Sequence, residues 1–548
     1  MEAIYKKYVE EKLDEKGILQ NIIFKIPEDF NFGYDCVRAL AGKCPDKPAM
    51  YWLSKNKEEK IFTFLDIEKY SNKTANYFES LGIKRGDRVM LILKRHYQFW
   101  YSIVALHKMG AVVIPATNQL TQKDFIYRFN KAGVKAVICT ADGDVASQCE
   151  LALPESKTVT IKSIVNGKKD GWESFDEKIE SFSDQYVCKE RNVKSDTMIM
   201  YFTSGTTGYP KIVAQDYTYA LGHLVTARYW QNVDPNGIHF TISDTGWGKA
   251  VWGKLYGQWL CESAVFTYDF DKFDSADMLS VMQKYAITTF CAPPTMYRFF
   301  IKENLSKYNL SSLKHTCIAG EALNPEVFKQ FYEATGLKPM EGFGQTETTL
   351  AIANLIGTQP KPGSMGKPNP QYDVALLASD GKNAKTGEVG EICIRTDRWI
   401  APGMFKGYYE DSEKTKEAWY DNHYHTGDMA WFDEDGYYWY VGRTDDLIKS
   451  SGYRIGPFEI ESVIIEHPSV LECAVTGVPD PVRGQLVKAT IVLAKGFTAS
   501  EDLKKEIQDY VKNLTAPYKY PRVIEFVDEL PKTISGKIRR KVLRKEED

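Results

Sequence analysis

The sequence predicts an α/β protein with a large N-terminal domain of stacked α/β subdomains, a small β-rich subdomain, and a small α+β C-terminal domain. Short apolar runs such as 88–93 (RVMLIL) and 111–116 (AVVIPA) alternate with longer helical patterns such as 63–82. Buried strands separated by helices are typical of largely parallel sheets. Two departures from this alternation, near 360–400 and after 445, predict the other two parts.

The first departure begins with the proline- and glycine-rich stretch QPKPGSMGKPNP and continues into the strand patterns YDVALLA and GEVGEICIR. Short strands bounded by turn residues indicate a small β-rich subdomain. After Asp445 the charge density rises, and the patterns LVKATIVLA and SEDLKKEIQDYVKNL indicate a compact α+β unit of about 100 residues. We therefore predict an N-terminal domain over 1–444 and a C-terminal domain over 445–548.

The composition argues against a nucleic-acid partner, a zinc site and a membrane span. The chain has 70 lysines and arginines against 73 acidic residues, a net charge of −3, so no broad basic surface for nucleic acid is expected. The ten cysteines include no C-x-x-C pair and no zinc-type Cys/His spacing, which favours reduced thiols. The first residues, MEAIYKKYVEEKLDEKG, mix charges, and no run of about 18 apolar residues follows. We expect a cytoplasmic protein without a membrane span.

A loop after the strand pattern 197–202 (TMIMYF) is a candidate phosphate site. Small residues let backbone N–H groups and hydroxyls approach phosphate oxygens closely, and a following lysine adds positive charge. An ordinary glycine turn is the alternative, because the same residues crowd loops that bind nothing. The loop is not a Walker A motif, since Pro210 precedes the lysine. The candidate residues are Thr203, Ser204, Gly205, Thr206, Thr207, Gly208 and Lys211.

Five later segments follow this loop in a fixed order. They are GEAL (320–323), EGFGQTE (341–347), YHTGD (424–428), GRTDDLIKSSGYRIGPFEIE (442–461) and PKTISGKI (531–538). With these segments the chain resembles the adenylate-forming superfamily of acyl-CoA synthetases, luciferases and adenylation domains, from 31–40 to its end. It is most similar to medium-chain and branched-chain acyl-CoA synthetases, in which ISDTGW (242–247) also recurs.

This resemblance implies an ATP-dependent, AMP-forming acyl-CoA synthetase. A carboxylate is a poor acyl donor, so it first displaces pyrophosphate from ATP to form an acyl-AMP. The thiol of coenzyme A then displaces AMP and forms the thioester. The implied partners are a small-molecule carboxylic acid, ATP and coenzyme A, with Mg²⁺ to neutralise charge that develops on the phosphates. A homodimer is one oligomeric state that the sequence leaves open.

The resemblance also implies roles for residues of the ATP site. Thr346 would contact the α-phosphate, and Glu347 would ligate Mg²⁺, a hard cation that prefers oxygen ligands. Asp428 would accept the ribose hydroxyls, with a turn residue as the alternative, and Arg443 would join the ribose or phosphate side. Besides the phosphate loop, the implied ATP-binding set is Gly320, Glu321, Ala322, Glu341, Gly342, Phe343, Gly344, Gln345, Thr346, Asp428, Arg443 and Lys537.

The catalytic lysine and the hinge are implied in the same way. Lys537 would reach the carboxylate and the bridging oxygen of the α-phosphate during adenylation, together with Thr346 and Glu347 as catalytic residues. Because Lys537 lies in the small domain, that domain must close for the first step and withdraw for the second. Asp445, the first acid after GRT, matches the family's hinge.

A second face of the C-terminal domain would receive coenzyme A. Gly452 would line the pantetheine tunnel, where a side chain would obstruct the thiol. Arg483 fits the coenzyme A nucleotide or, as an alternative, a solvent-facing salt bridge. The implied coenzyme A set is Gln119, Ser451, Gly452, Tyr453, Arg454, Arg483, Tyr520, Pro521 and Arg522.

The acyl pocket is predicted from three residues. Gly344 stands where similar acetyl-CoA synthetases carry a tryptophan, and each methylene that fills the freed volume contributes about 0.8 kcal/mol. Trp247 is a candidate tunnel wall, with core packing as the alternative. A helix over 247–254 would place Lys254 on the same face as Trp247, near the tunnel end, unless its ammonium snorkels to water. We predict a short branched, medium-chain or aryl acid.

Two other functions stay open at this stage. One is an adenylation enzyme that loads a carrier protein, or a luciferase-like oxidising enzyme, although KSSGYRIGP with Arg454 favours free coenzyme A. The other is a nucleotide-binding homologue that has lost catalysis. Lys537, Glu347 and Asp428 are all present, which argues against that loss.

Overall fold

The computed structural model describes residues 2–203, 209–321, 323–451, 453–532 and 538–545. An N-terminal hairpin, Val9–Leu13 and Leu19–Phe24, precedes the main sheets. The predicted helix over 63–82 is observed as Phe64–Ser80, and Thr63 begins it with a capping box that also uses Asp66. Such a cap satisfies backbone donors that the first helical turn leaves free.

The first sheet has seven strands, all parallel to their neighbours except one edge pair. In spatial order they are Lys211–Asp216, Thr197–Thr203, Val112–Pro115, Arg88–Ile92, Val134–Thr140, Ile161–Val165 and Glu173–Ser174. Val89 packs into one core and Met90 into the core on the opposite face. Both faces are therefore buried, which explains the uninterrupted apolar strand sequences.

Helices cover both faces of this sheet. Phe64–Ser80, Gln98–Met109 and Phe175–Ile179 contribute to one core, and Gln122–Ala132 and Val145–Ala152 contribute to the other. The first of these cores also contains Met50 and Val265 of the second sheet. The two large sheets thus share one hydrophobic core between them.

The second sheet has nine strands, with six parallel strands in its centre and antiparallel pairs at its edges. In spatial order they are Lys367–Pro368, Leu350–Ala353, Pro339–Gly344, His315–Ile318, Thr289–Ala292, Ile238–Thr241, Ala264–Asp269, Pro48–Ser54 and Glu59–Thr63. The helices Gly248–Lys254, Tyr256–Leu260 and Pro325–Thr335 contact its strands, and the chain also forms helices at Ala39–Lys43, Tyr219–Gly222, Ser275–Lys284 and Pro294–Phe300.

The third sheet is small and entirely antiparallel. Its strands are Val374–Leu377, Gly390–Arg395, His423–Phe432, Trp419–Tyr420 and Tyr438–Arg443, and the helix Ser412–Ala418 lies between two of them in sequence. This is the predicted β-rich part, but it extends to residue 443 rather than ending near 400. Its later strands were missed because their aromatic and charged residues hide the strand alternation.

The C-terminal part has its own sheet and its own core. Its strands are Tyr453–Ile455, Ile448–Ser450, Gly484–Leu493, Val470–Asp480 and Val523–Phe526, and its helices are Pro457–Ile465, Glu501–Leu514 and Arg540–Lys545. Ile460, Val475 and Ile507 pack together in that core. The predicted fold class, with a large α/β part and a smaller α+β part, is confirmed. None of the helices in the described ranges combines the length and apolar character that a membrane span requires.

Candidate active site

The base of the candidate phosphate loop lies at the antiparallel edge of the first sheet. Thr203 and Lys211 are cross-strand partners at the ends of their strands. The Lys211 Nζ atom lies 4.4 Å from the centre of the Tyr408 ring. Burial lowers the pKa of Lys211, and the nearby Glu347 carboxylate opposes that shift. The loop residues between them, Ser204, Gly205, Thr206, Thr207 and Gly208, lie outside the described residues.

Thr346 and Glu347 follow the strand Pro339–Gly344, where the second sheet meets the first. The Thr346 carbonyl accepts a hydrogen bond from Gln215 Nε2 at 3.0 Å. The Glu347 carboxylate accepts one from the Tyr408 hydroxyl at 3.0 Å. Burial raises the pKa of Glu347, although its hydrogen bonds and the Lys211 charge oppose the shift. Tyr408 therefore links the cation at the loop base to a partly buried carboxylate, the ligand type that Mg²⁺ prefers.

Asp428 and Arg443 are cross-strand partners in the third sheet. The buried Asp428 carboxylate accepts hydrogen bonds from the Tyr440 hydroxyl at 3.0 Å and from Gln345 Nε2. Arg443 Nη1 lies 3.6 Å from that carboxylate. Burial lowers the pKa of Arg443, but Asp428, Asp445 and Tyr440 outweigh this effect and keep it above its ordinary value.

Gln345 joins these groups. Besides its bond to Asp428, its Nε2 atom donates to the Thr426 carbonyl at 2.9 Å, and its Oε1 atom accepts from the Tyr424 hydroxyl at 2.7 Å. Since Gln345 directly precedes Thr346 and Glu347, the second and third sheets hold the candidate phosphate and ribose groups side by side. The sequence placed Gln345 in the ATP-binding set, but this linking contact could not be read from it.

The candidate adenine residues lie at the ends of adjacent strands. Gly320 has a φ of +115° and open space where a Cβ would stand. Glu321 is exposed and lies 3.7 Å from Arg298. Glu341 is buried; burial raises its pKa to about 8, and a hydrogen bond from the Leu323 backbone opposes the shift. Ala322 lies outside the described residues.

Two indole rings pack against the glycines of the 341–347 segment. A Cβ on Gly342 would lie 2.9 Å from the Trp230 ring, and a Cβ on Gly344 would lie 2.7 Å from the Trp252 ring. Phe343, between them, is partly buried. The volume predicted to be free at Gly344 is therefore bounded by Trp252. Neither indole was singled out from the sequence, although Trp252 stands in the same WGKAVWGK segment as Trp247.

The two other acyl-pocket candidates lie at the two ends of the helix Gly248–Lys254, Trp247 just before it and Lys254 as its last residue. Trp247 is partly buried and precedes the helix with extended backbone, so the helix begins one residue later than predicted. Lys254 is buried, and its Nζ atom donates to the Ser243 carbonyl at 2.6 Å. Burial lowers its pKa to about 7. The alternative that Lys254 snorkels to water is wrong. A lysine that the sequence analysis missed, Lys249, donates to the Ala319 carbonyl at 2.8 Å, next to Gly320.

Part of the candidate coenzyme A set comes together on the C-terminal part. Ser451 donates its backbone N–H to the Arg483 carbonyl at 2.8 Å. The exposed Tyr453 stacks on Tyr518 with ring centres 4.0 Å apart. Arg454 and Arg483 are exposed, and within the described part of the chain the Arg483 guanidinium makes no ion pair. Gly452 lies outside the described residues.

The remaining coenzyme A candidates are separate from that group. The Arg522 guanidinium lies 4.7 Å from the centre of the Tyr520 ring and donates to its hydroxyl at 2.7 Å, with Pro521 buried between them in sequence. Gln119 follows the Thr117 turn in the N-terminal part. No described contact joins Gln119 to the C-terminal candidates.

The candidate hinge Asp445 is exposed next to the third sheet. Arg443 Nε lies 3.7 Å from its carboxylate, and Arg544 Nη1 donates to its carbonyl at 3.0 Å. The neighbouring Asp446 pairs with Arg544 as well. Charged groups from both parts of the chain therefore meet at 445–446. Lys537, the candidate catalytic lysine, lies outside the described residues.

Comparison with known proteins identifies the family of enzymes to which the chain belongs. The family models described as AMP-binding enzyme and AMP-binding enzyme C-terminal domain match residues 37–409 and 459–537. The chain belongs to the AMP-binding enzyme family. The predicted resemblance to adenylate-forming enzymes is confirmed.

Curated relatives match almost the whole chain. The mitochondrial acyl-coenzyme A synthetase ACSM3 of Mus musculus is 41% identical over 561 residues, covering 100% of this chain and 96% of the relative. The mitochondrial acyl-coenzyme A synthetase ACSM4 of Rattus norvegicus is 42% identical, covering 98% of this chain and 93% of the relative. The predicted enzyme class agrees with these names. The predicted cytoplasmic location is contradicted by them, because both relatives are mitochondrial.

Solved structures agree at the level of the fold. The anthranilate CoA ligase AuaEII in complex with anthranoyl-AMP is 28% identical, with a TM-score of 0.86 over 94% of this chain and 97% of that one. The Brucella canis acyl-CoA synthetase is 31% identical, with a TM-score of 0.72 over 94% of both chains. The benzoate CoA ligase of Burkholderia xenovorans is 24% identical, with a TM-score of 0.82, and shows the shared fold alone.

Proposed function

We propose that the chain is an AMP-forming acyl-CoA synthetase. A carboxylate attacks the α-phosphorus of ATP, forming acyl-AMP and releasing pyrophosphate. The coenzyme A thiol then attacks the acyl carbon, forming the thioester and releasing AMP. The observation that carries the proposal is the convergence of Lys211, Glu347 and Asp428, linked by Tyr408 and Gln345, where the three N-terminal sheets meet. The names of relatives 41–42% identical over nearly the whole chain support it.

The charge of each described residue suits one part of ATP or its metal ion. Lys211 supplies a positive charge at the base of the phosphate loop. Asp428 can accept hydrogen bonds from ribose hydroxyls, and Arg443 beside it supplies donors for ribose or phosphate oxygens. Glu347 would hold Mg²⁺, which when bound neutralises charge on the phosphates. Lys537 would supply a positively charged ammonium group to the carboxylate and the α-phosphate in the first half-reaction.

The domain boundary and the coenzyme A face belong to the same proposal. A separate core and sheet after residue 447 support an N-terminal domain over 1–444 and a C-terminal domain over 445–548, with Asp445 as the hinge. Four candidate residues are exposed on the C-terminal domain, namely Ser451, Tyr453, Arg454 and Arg483, and the Ser451 backbone hydrogen-bonds to that of Arg483. An exposed group of this kind suits a coenzyme A face. Size-exclusion chromatography with light scattering tests whether the protein forms a homodimer, the oligomeric state that the sequence leaves open.

The pocket supports an acid of limited length. Trp230 and Trp252 pack against the glycines of the 341–347 segment and close the space beside them. Trp247 directly precedes the helix Gly248–Lys254, which carries Trp252 and whose Lys249 donates to the Ala319 carbonyl. We therefore favour short branched, medium-chain or aryl acids over long fatty acids.

A panel of acids tests the function. Purified protein is incubated with ATP, Mg²⁺, coenzyme A and acids from acetate to palmitate, with branched and aryl members, and thioester and AMP are quantified. We expect equal amounts of both products, with the highest kcat/KM for an intermediate acid. A maximum at acetate or palmitate contradicts the pocket assignment. Acid-dependent pyrophosphate exchange without thioester formation from free coenzyme A would favour the carrier-protein function instead.

The Lys537→Ala variant tests the division between half-reactions. We expect loss of acid-dependent pyrophosphate exchange, while thioester formation from supplied acyl-AMP stays close to that of the unaltered protein. Equal loss of both half-reactions rejects the assigned role. Failure of the unaltered protein in both assays, across the whole panel, would favour a nucleotide-binding homologue without catalysis.

A further inference from the structure

The strand that carries Asp428 is interrupted by a bulge. Glu391 pairs with Met429 and Cys393 pairs with His425, so the three residues 426–428 stand opposite one residue, Ile392. Gly427, in the middle of the bulge, has a φ of +71°. Bulges are common beside active sites because they redirect a side chain out of the regular ladder. Here the bulge removes Asp428 from the ladder with Gly390–Arg395, while Asp428 stays paired with Arg443 on its other side.

Side chains replace the ladder hydrogen bonds that the bulge removes. The Gly427 N–H donates to Glu391 Oε1 at 2.8 Å. The Thr426 hydroxyl donates to the Ile392 carbonyl at 2.7 Å and accepts from the Asp428 N–H at 3.1 Å. Buried backbone groups without such partners are costly, so these bonds decide whether the bulge keeps its shape.

Glu391 also binds the residue that begins the bulge. Its Oε2 atom lies 3.0 Å from His425 Nδ1. A carboxylate accepts only, so Nδ1 carries the proton and donates. The His425 ring is held in turn by Tyr420, which stacks on it with centres 3.6 Å apart. One carboxylate therefore fixes the bulge at both His425 and Gly427.

The cluster of Glu391, Cys393 and His425 also has the composition of a metal site, with Cys393 Sγ 3.4 Å from His425 Nδ1. However, each oxygen of the Glu391 carboxylate already accepts a hydrogen bond, one from Gly427 and one from His425. A metal ion bound at His425 Nδ1 would displace the proton that this nitrogen donates to Glu391. The contacts favour a role for Glu391 in holding the bulge.

We propose that Glu391 is a positioning residue for ATP: through His425 and Gly427 it holds the bulge that aims Asp428 at the ribose hydroxyls. The proposal rests on the proposed function, because it takes ATP as the substrate. It predicts that Glu391 affects nucleotide recognition only as far as the ribose hydroxyls take part. Glu391 itself touches no substrate in this scheme.

The test compares ATP with 3′-deoxy-ATP in the acid-dependent pyrophosphate exchange reaction. For the Glu391→Gln variant we expect the KM for ATP to rise about tenfold, the effect of losing a hydrogen bond to a charged group, with kcat changing much less. The KM for 3′-deoxy-ATP should rise only slightly, because one ribose contact is already absent. The preference for ATP over the analogue should therefore shrink.

A matched variant and a second position keep the test decisive. Glu388→Gln changes an exposed carboxylate three residues away, whose described contact is with the Lys385 backbone, and should leave both KM values unchanged. His425→Phe keeps a ring on Tyr420 but removes the donor to Glu391, and should reduce the preference in the same direction. It serves as the test if Glu391→Gln does not fold.

The outcomes separate the two levels of the proposal. If the unaltered protein does not distinguish ATP from 3′-deoxy-ATP, the ribose role of Asp428 fails, and the proposed ATP site with it. If the unaltered protein distinguishes them and Glu391→Gln keeps the same preference, losing only overall activity or thermal stability, Glu391 is structural and the positioning proposal is overturned. An unchanged preference for ATP in the His425→Phe variant would overturn the positioning proposal in the same way.

Discussion

Asn324 connects the two parts of the chain to each other. Its Nδ2 atom donates a hydrogen bond of 2.9 Å to the Ser462 carbonyl in the C-terminal helix Pro457–Ile465. Its Oδ1 atom meanwhile caps the N-terminal helix Pro325–Thr335 by accepting from the Glu326 N–H at 2.7 Å. The same side chain therefore begins a helix in one part and holds the other part in the arrangement observed.

Replacing Asn324 with serine should separate the half-reactions. Serine can still cap the helix, but it has no amide to reach Ser462. If the C-terminal part moves between two arrangements, loss of one bond, worth about 1 kcal/mol, should change one half-reaction about fivefold and leave the other nearly unaltered. Pyrophosphate exchange and thioester formation from supplied acyl-AMP measure the two steps.

The control is Asn304→Ser, since Asn304 also begins a helical segment, by accepting from the Ser306 N–H, far from the C-terminal part in sequence. It should change neither half-reaction. Equal changes in both half-reactions for Asn324→Ser would mean that the bond to Ser462 contributes stability only.

Trp252 should set the length of the acid. Its ring lies where a Cβ on Gly344 would contact it, and its Nε1 atom donates to the Tyr219 hydroxyl at 3.1 Å. Trp252→Leu removes part of the indole, and each added methylene that fills the space contributes about 0.8 kcal/mol, or roughly fourfold in kcat/KM. We expect the preferred acid to lengthen by about two carbons.

The chain-length series on the variant and on Trp399→Leu checks this. Trp399 is 40% exposed, so its replacement should leave the preference unchanged. An unchanged optimum for Trp252→Leu would place the acyl group elsewhere. Loss of all activity with retained AMP binding would mean that the indole serves catalysis rather than length.

Glu347 should control the Mg²⁺ requirement. Its carboxylate is partly buried, touches Tyr408 and lies near Lys211. Glu347→Gln removes the charged ligand, so we expect at least a tenfold higher Mg²⁺ concentration for half-maximal pyrophosphate exchange. Because burial raises the pKa of Glu347, the unaltered enzyme should lose Mg²⁺ affinity on acidification at a higher pH than an exposed glutamate would. Glu388→Gln, a change of an exposed carboxylate whose described contact is with the Lys385 backbone, is the control.

The candidate charged groups of the site were assigned from the short motifs that the chain shares with the adenylate-forming family. Thr346 and Glu347 are adjacent in one of these motifs, whereas Asp428 and Arg443 lie on strands that the alternation of residues did not predict. The parallel sheets were predictable from local sequence, since runs such as 88–93 are apolar throughout because both of their faces are buried.

Contacts between distant segments were not predictable. Gly344 indicated an open pocket, yet the helix Gly248–Lys254 brings Trp252 against it from almost a hundred residues earlier. Lys254 was expected near a tunnel or at the surface, but packing encloses it and leaves the Ser243 carbonyl as its described acceptor. The bond between Gln345 and Asp428 likewise depends on how the second and third sheets meet. Such relationships follow from tertiary packing, which motif spacing does not encode.

Two buried histidines should respond differently to replacement while sharing one pH dependence. His223 and His239 are both fully buried, and burial lowers the pKa of each to about 3. Both nitrogens of His223 find no hydrogen-bond partner among the described residues. Those of His239 lie 2.7 and 2.8 Å from the hydroxyls of Thr289 and Thr241.

The sign of the pH effect follows from the lowered pKa. Below the ordinary value of about 6.5 the unfolded chain binds a proton on each histidine, whereas the folded chain does not until about pH 3. Each histidine therefore lowers the free energy of unfolding by about 1.4 kcal/mol per pH unit as the pH falls through that window. Between pH 7 and pH 5, one histidine accounts for about 2 kcal/mol.

Replacing either histidine with phenylalanine should remove the part of the pH dependence of the free energy of unfolding that this histidine causes. At pH 7, His223→Phe should be as stable as the unaltered protein or more so, because it removes polar atoms that have no partner. His239→Phe should cost about 1–3 kcal/mol, because it leaves two threonine hydroxyls unsatisfied. Urea unfolding at pH 7 and pH 5 measures both effects. If His223→Phe keeps the full acid sensitivity, His223 already binds a proton in the folded state, and its nitrogens then have a partner such as buried water.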